Sequence, residues 1–206
     1  MSDKLSPNRV ADDVFEIRVD SSRQAQWIAR TLRKAELAED VVAGLETVCV
    51  KFAPASAQQV SDWLQGIDFA VDETLPDTPI ITLDIHYGGE KGPDFEWVCE
   101  ALNLSAEAFI EMHTGQTHTV EMMGFTPGFA YVSGLPEDVK IPRLSDPRLR
   151  VAAGSVGVSG AFTGIYALAG PGGWPLIGRL SKPLTGPISG APIFFQSGQR
   201  LKFKAA

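Results

Sequence analysis

The sequence predicts an α+β protein: a small N-terminal α/β sandwich, one sheet with two helices on one face, followed by a C-terminal β-barrel. Three observations predict it. Strand and helix patterns alternate over the first 87 residues. From Thr117 to Phe203 the chain reads as short strands broken by Gly and Pro, with no convincing amphipathic helix. Within that stretch, Val151–Gly178 carries no charge and holds eight glycines and two prolines. A neutral segment so rich in Gly fits strands and tight turns around a buried interior or cleft. Gly170-Pro171-Gly172-Gly173 and Pro175 exclude a membrane-spanning helix there.

Each element has its own signal. Residues 1–13 are polar and read as mobile, and Val14–Val19 is a short strand. Ser21–Ala38 is a helix: Ser21 and Gln24 make a capping box, and Ala25, Ile28, Ala29, Leu32 and Ala35 form one apolar stripe. In Leu45–Phe52 alternation puts Val48, Val50 and Phe52 on one face. Ser56–Ile67 repeats the helical pattern, with Ser56 and Gln59 as caps and Val60, Leu64 and Ile67 inward. Ile80–Tyr87 is a strand with Ile81, Leu83, Ile85 and Tyr87 on one side. The domain boundary is placed near Tyr87–Gly92, giving an α+β domain over 1–87 and a barrel domain over 88–206. Asp94 caps a short helix running to Leu102, Ser105 starts another to His113, and Thr117–Met123 opens the β region.

Composition limits the function. At 206 residues, 44% hydrophobic and 21% charged, the chain can bury a substantial core. A net charge of -7 argues against general nucleic-acid binding, which needs a basic face. Cys49 and Cys99 are far apart, without metal-type spacing, and read as buried thiols in a reducing compartment. The polar N-terminus has no apolar signal core, so a cytoplasmic location is the expectation.

Standard catalytic motifs fail. Gly88–Asp94 lacks the Gly-Lys-Ser/Thr ending of a phosphate loop, and Gly157-Val158-Ser159-Gly160 lacks nucleophile-elbow spacing. His113 and His118 fall on different elements, and no metal site is expected. What remains is softer. His86 has the polar parity of its strand and is a candidate proton carrier; a hydrogen-bonded structural histidine is the alternative. Pro142-Arg143 and Pro147-Arg148 would bring two guanidinium groups onto one anion if Ser145–Pro147 turned, or would answer Glu137, Asp138 and Asp146 at the surface. Phe125, Phe129, Tyr131, Phe162, Tyr166 and Trp174 read as core or as a cleft wall, beside hydroxyls at Ser155 and Thr163.

The chain resembles the 5-oxoprolinase B-subunit family, whose members are also called allophanate hydrolase subunit 1 or kinase-A inhibitor. The resemblance runs from about Leu45 to the C-terminus. It rests on Tyr87-Gly88-Gly89-Glu90, Gly92-Pro93-Asp94, Gly124-Phe125-x-Pro127-Gly128-Phe129-x-Tyr131, Gly134-Leu135-Pro136, Pro142-Arg143 with Pro147-Arg148, Ala153–Gly157, Thr163–Tyr166, Pro171–Trp174 and Ile177-Gly178-Arg179. It implies a cyclophilin-like fold for the barrel, without implying prolyl isomerase activity. It also implies a homologous second subunit and a larger hydrolase-like subunit as partners. Such assemblies open the lactam of 5-oxoproline to glutamate with hydrolysis of ATP, so ATP is implied for the complex and the isolated chain is expected to be silent. Related domain pairs form the carboxyltransferase part of biotin-dependent urea carboxylase, and another member inhibits a histidine kinase. Tyr87, Glu90 and Pro127 join the candidate binding residues through the shared motifs, and Arg179 joins Arg143 and Arg148 as a candidate for steadying anionic groups. The chain departs from the family pattern at Phe162, Gly170 and Leu144, where Gln, Ser and Arg are usual. All three departures remove polar capacity from the presumed cleft.

Overall fold

A computed structural model describes residues 6–66, 79–182, 184 and 195–206. The chain splits into two compact units, 1–77 and 78–206. The first holds β1 (Asn8–Ala11), β2 (Val14–Arg18), α1 (Ser22–Ala35), β3 (Asp40–Ala43), β4 (Thr47–Lys51) and α2 (Ala57–Gly66). Its strands pair antiparallel in the order β1-β2-β4-β3. Opposite residues Phe15 and Val50, and Ile17 and Val48, turn one apolar face inward. The α1 stripe of Ala25, Ile28, Ala29 and Leu32 is buried in the same core. Burying each of the two larger side chains contributes about 1.5–3 kcal/mol.

The Ser21 cap forms as read. Its hydroxyl accepts from Gln24 N–H at 3.2 Å, and the Gln24 side chain reaches back to Asp20 N–H at 2.8 Å. The second cap does not form. Ser56 closes a 3-10 turn, Pro54–Ser56, that leads directly into α2. Ile67 lies outside the described residues. Residues 8–11, read as mobile, form an edge strand. All four are exposed, so no alternation marked them. The helix read to Ala38 stops at Ala35, because Glu36 turns left-handed at φ 54°, and β3 follows.

The second unit contains β5 (Ile81–Tyr87), α3 (Phe95–Ala101), α4 (Ala106–Gly115), β6 (His118–Met123), β7 (Ala130–Ser133), β8 (Arg148–Val151), β9 (Ser155–Ser159), β10 (Phe162–Ile165), β11 (Gly170–Gly172), β12 (Leu176–Leu180) and β13 (Arg200–Ala205). Seven strands close a barrel in the order β10-β7-β6-β13-β5-β12-β9, and β8 pairs with β11 apart from it. This corrects the expected division of the chain after Tyr87. Strand β5 is a barrel stave, antiparallel to β12 and parallel to β13. Its partners lie some 90 to 120 positions away in sequence, so the local alternation of strands and helices assigned it to the wrong sheet.

The barrel interior is filled by Leu83, Ile85, Val120, Val132, Val156, Val158, Ile165 and Phe203, with Phe95, Val98 and Phe109 from α3 and α4. Asp94 is placed at the start of α3 but does not cap it through its side chain. Its carboxylate instead binds Arg148 Nη2 at 2.7 Å and accepts from Leu176 N–H at 2.6 Å. Ser105 does cap α4, accepting from Ala108 N–H at 3.1 Å. Cys99 is buried as expected, whereas Cys49 is half-buried on the outer face of β4. Among the described residues no helix is long and apolar enough to cross a membrane.

Candidate functional site

The glycine-rich strands carry an aromatic cleft on the outer face of the barrel. Val156, Val158, Thr163 and Ile165 point inward, so by strand alternation Gly157 and Gly164 face out. Trp174 fills the space that side chains there would take. A β-carbon on Gly164 would sit 2.7 Å from the Trp174 ring and from Phe129 Cζ, so only glycine admits this packing. Phe129, Tyr166 and Trp174 form a buried cluster with Val151 and Leu176, against which Tyr131 and Phe162 pack. Phe129 meets Tyr131, Tyr166 and Trp174 edge-on, with ring centroids 4.9–5.6 Å apart.

Above this floor opens a cleft of about 340 Å³, counting the solvent space at its mouth. It is lined by Phe125, Phe129, Tyr131, Arg143, Tyr166, Gly173 and Trp174. Phe125 is 61% exposed and sits at φ 69°, an unusual conformation for a bulky residue. Arg143 has no ion-pair partner among the described residues. Burial pushes the Tyr166 hydroxyl above the usual phenol range, while a backbone contact at Trp174 and the charges of Arg143 and Arg148 pull it back. The cleft therefore offers an apolar, stacking wall and one unneutralised guanidinium.

The structure separates the residues that the sequence grouped. Phe125, Arg143, Tyr166 and Trp174 converge on the cleft. Arg148 does not join Arg143 on a common anion: it is tied to Asp94, with one nitrogen, Nη1, buried and unpartnered. Pro127 is exposed in the turn after Phe125, and Glu90 is exposed in the turn Gly89–Lys91. Ser155, Arg179 and His86 lie on β9, β12 and β5 as one outward row, because Arg179 pairs in register with both others. Of the family departures, Phe162 packs against the aromatic cluster and Leu144 N–H donates to Gly173 O at 2.7 Å beside the cleft.

Tyr87 and Thr163 belong to a different place, the barrel interior. His113 of α4 reaches between them, Nδ1 to the Tyr87 hydroxyl at 2.6 Å and Nε2 to the Thr163 hydroxyl at 3.0 Å. Its ring stacks on Phe203 and Phe109, so α4 plugs the barrel. His118 lies alongside, ring centroids 5.0 Å apart, with its nitrogens 2.9 Å from Ser133 O and 2.8 Å from His113 O. A neutral imidazole donates only one of those bonds. Burial drives His113 well below the usual histidine range, and the neighbouring His118 adds to the effect. Burial also lowers His118, against the two carbonyls that favour its charged form. The sequence named both histidines but, because they fall on different elements, gave no sign that they meet inside the barrel. The signal available was a histidine on the apolar side of each. Among the described residues no group of three His, Cys, Asp or Glu side chains is placed to hold a metal.

Known proteins are similar to this chain in sequence and fold. Residues 10–195 match the family described as carboxyltransferase domain, subdomain C and D. The 5-oxoprolinase B subunit of Escherichia coli O157:H7 is 42% identical over 62% of this chain and 59% of its own length. The 5-oxoprolinase B subunit of Haemophilus influenzae is 35% identical over 90% of this chain and 87% of its own. Among solved structures, the protein TTHA0988 superimposes with a TM-score of 0.78 at 28% identity, over 94% of this chain and 40% of that one. The chain thus spans a little over half of the E. coli relative and under half of TTHA0988.

Proposed function

The chain belongs to the family of carboxyltransferase domains, subdomain C and D, and on that premise we propose that it is one subunit of an ATP-dependent 5-oxoprolinase. In this reading a complex converts 5-oxoproline, ATP and water to glutamate, ADP and phosphate, and the chain alone is silent. The similarity to relatives named as the B subunit of 5-oxoprolinase carries the proposal, and the unpaired arginine of the aromatic cleft fits it.

The chemistry is economical. A lactam acid presents a flat ring and a carboxylate. The ring lies against Trp174 and Phe125, and the carboxylate pairs with Arg143, whose planar fork matches it. Ring opening needs the amide oxygen activated and water delivered. No side chain lining the cleft is an evident nucleophile or general base, so those roles fall to the partners: a homologous second subunit and a larger hydrolase-like subunit. ATP enters as the co-substrate of the complex, and no residue of this chain is assigned to it.

The test is reconstitution. Purified with its partners, the chain supports ATP consumption that depends on 5-oxoproline, and it shows none alone. Arg143→Gln raises the KM for 5-oxoproline at least tenfold with an unchanged melting temperature. An inactive complete set, together with inhibition of kinase autophosphorylation by the chain alone, would overturn the reading. The family's own description favours one second reading, the carboxyltransferase half of a biotin-dependent enzyme. Its mark would be carboxyl transfer from a biotinylated partner protein without turnover of 5-oxoproline.

A further inference from the structure

We propose that His86, Arg179 and Ser155 form an oxyanion-binding site on the outer barrel face, taking one carboxylate or phosphate group beside the aromatic cleft. Strand register brings the three together. On the adjacent strands β5, β12 and β9, Arg179 stands opposite His86 on one side and Ser155 on the other. Directly opposed residues place their side chains on the same face, within contact distance. The flanking residues Ile85 and Val156 are core, so the row faces outward.

Among the described residues none of the three side chains has a hydrogen-bond partner. Ser155 is fully buried, yet its hydroxyl makes no hydrogen bond. Arg179 Nε is buried and unpartnered as well. Its stem passes Gly154, where an added β-carbon would lie 3.7 Å from Arg179 Cγ. Half-exposed His86 has no hydrogen bond among the described residues. Buried polar groups in folded proteins are normally satisfied, and a side-by-side pair that is not marks a place prepared for something else. The donors define what that is. A guanidinium N–H, a hydroxyl and an imidazole share one row of register, and among the described residues no carboxylate forms an ion pair with Arg179. Asp84, two residues before His86 on the same face, stands opposite Lys204 in register. An oxyanion satisfies this set through charge-assisted bonds.

The site is separate from the guanidinium of the cleft. Ser155 lies two residues from Gly157, whose outer side is covered by Trp174, so one strand repeat of roughly 7 Å separates row and cleft floor. The row is therefore a position distinct from the cleft floor.

His86 supplies the readout, since the chain has three histidines and the other two are buried in the barrel. The full-length chain is titrated at fixed pH and ionic strength with inorganic phosphate and, separately, with acetate, while the His86 ring signals are followed by NMR. Saturable shifts with a millimolar or tighter Kd for either anion support the site, and the anion that saturates identifies the group preferred. Arg179→Gln weakens binding at least tenfold and Ser155→Ala at least threefold, while Arg143→Gln leaves it unchanged. Where Arg179→Gln fails to fold, Ser155→Ala, which only removes a hydroxyl, carries the test. Shifts that stay linear for both anions would overturn the proposal. So would saturation that survives Ser155→Ala and is abolished by Arg143→Gln, because the anion would then sit in the cleft.

Discussion

Asp94 shows how much one side chain can organise. Its two oxygens hold Arg148 and the N–H of Leu176, joining the start of α3 to β8 and β12. The pair is only partly exposed, so solvent screens it less than a surface ion pair. Asp94→Asn is expected to lower unfolding stability by about 1–3 kcal/mol, since it weakens a charge-assisted bond to a partly buried cation. Urea denaturation measures this directly. Gly164→Ala tests the opposite kind of constraint. An added methyl would strike Phe129 and Trp174 at 2.7 Å. Overpacking of this kind typically costs about 1–3 kcal/mol. It should also disturb the cleft floor, seen as a change in Trp174 fluorescence that a surface Gly170→Ala does not produce.

At the scale of elements, local signals and distant partners divide the credit. Helix α1 was legible because its stripe and its cap both lie within a few residues, and Ser21→Ala is expected to cost about 1 kcal/mol, read by thermal denaturation. Strand β5 was legible as a strand, with its inward residues correctly phased, but not as part of the barrel. The decisive partner is β13, which pairs with it in parallel from the far end of the chain. The cap expected from Asp94 failed for the same reason. A carboxylate at a helix start has a favourable local use, but Arg148 and Leu176, distant in sequence, offered it a better one. The aromatic cleft was legible as residue types in a glycine-rich run. Which of those residues line it follows from the outward parity of Gly157 and Gly164 against the inward residues Val156, Val158, Thr163 and Ile165.

For the whole molecule, the buried histidines make stability depend on pH on the acid side. Both favour the neutral form in the folded state, so the unfolded chain binds protons more readily as pH falls. Their contribution is complete above an unfolded histidine pKa of about 6.5 and is lost progressively below it. Burial raises Tyr87, so its hydroxyl acts in the opposite sense, costing stability above an unfolded phenol pKa of about 10. Burial raises the Cys99 thiol as well, so it counts against the fold above an unfolded thiol pKa of about 8.5, and melting temperature should be flat from about pH 6.5 to about 8.5 and fall on both sides. His113→Asn should flatten the acid limb at a cost in stability at neutral pH. An unchanged acid limb in that variant would show that the buried histidine is not its source. Gly134 belongs to the same arrangement: it lies at φ 119° and an added β-carbon would be 2.6 Å from His118 Nδ1. The ring's position thus depends on a backbone approach that leaves no room for a side chain.

The amino-acid order alone determined the helices with their stripes, the strand phases, the glycine-rich β region and the motifs that placed the chain in its family. These depend on residues close together along the chain, where periodicity and turn chemistry act. Tertiary structure decided which sheet β5 joins, that Arg148 serves Asp94 while Arg143 stays free, and that Tyr87 and Thr163 face a histidine inside the barrel. It also set His86, Arg179 and Ser155 in one row. Strand register and burial made each of those choices, because free energy favours whichever partner the closed barrel brings within reach, however far away it lies in sequence.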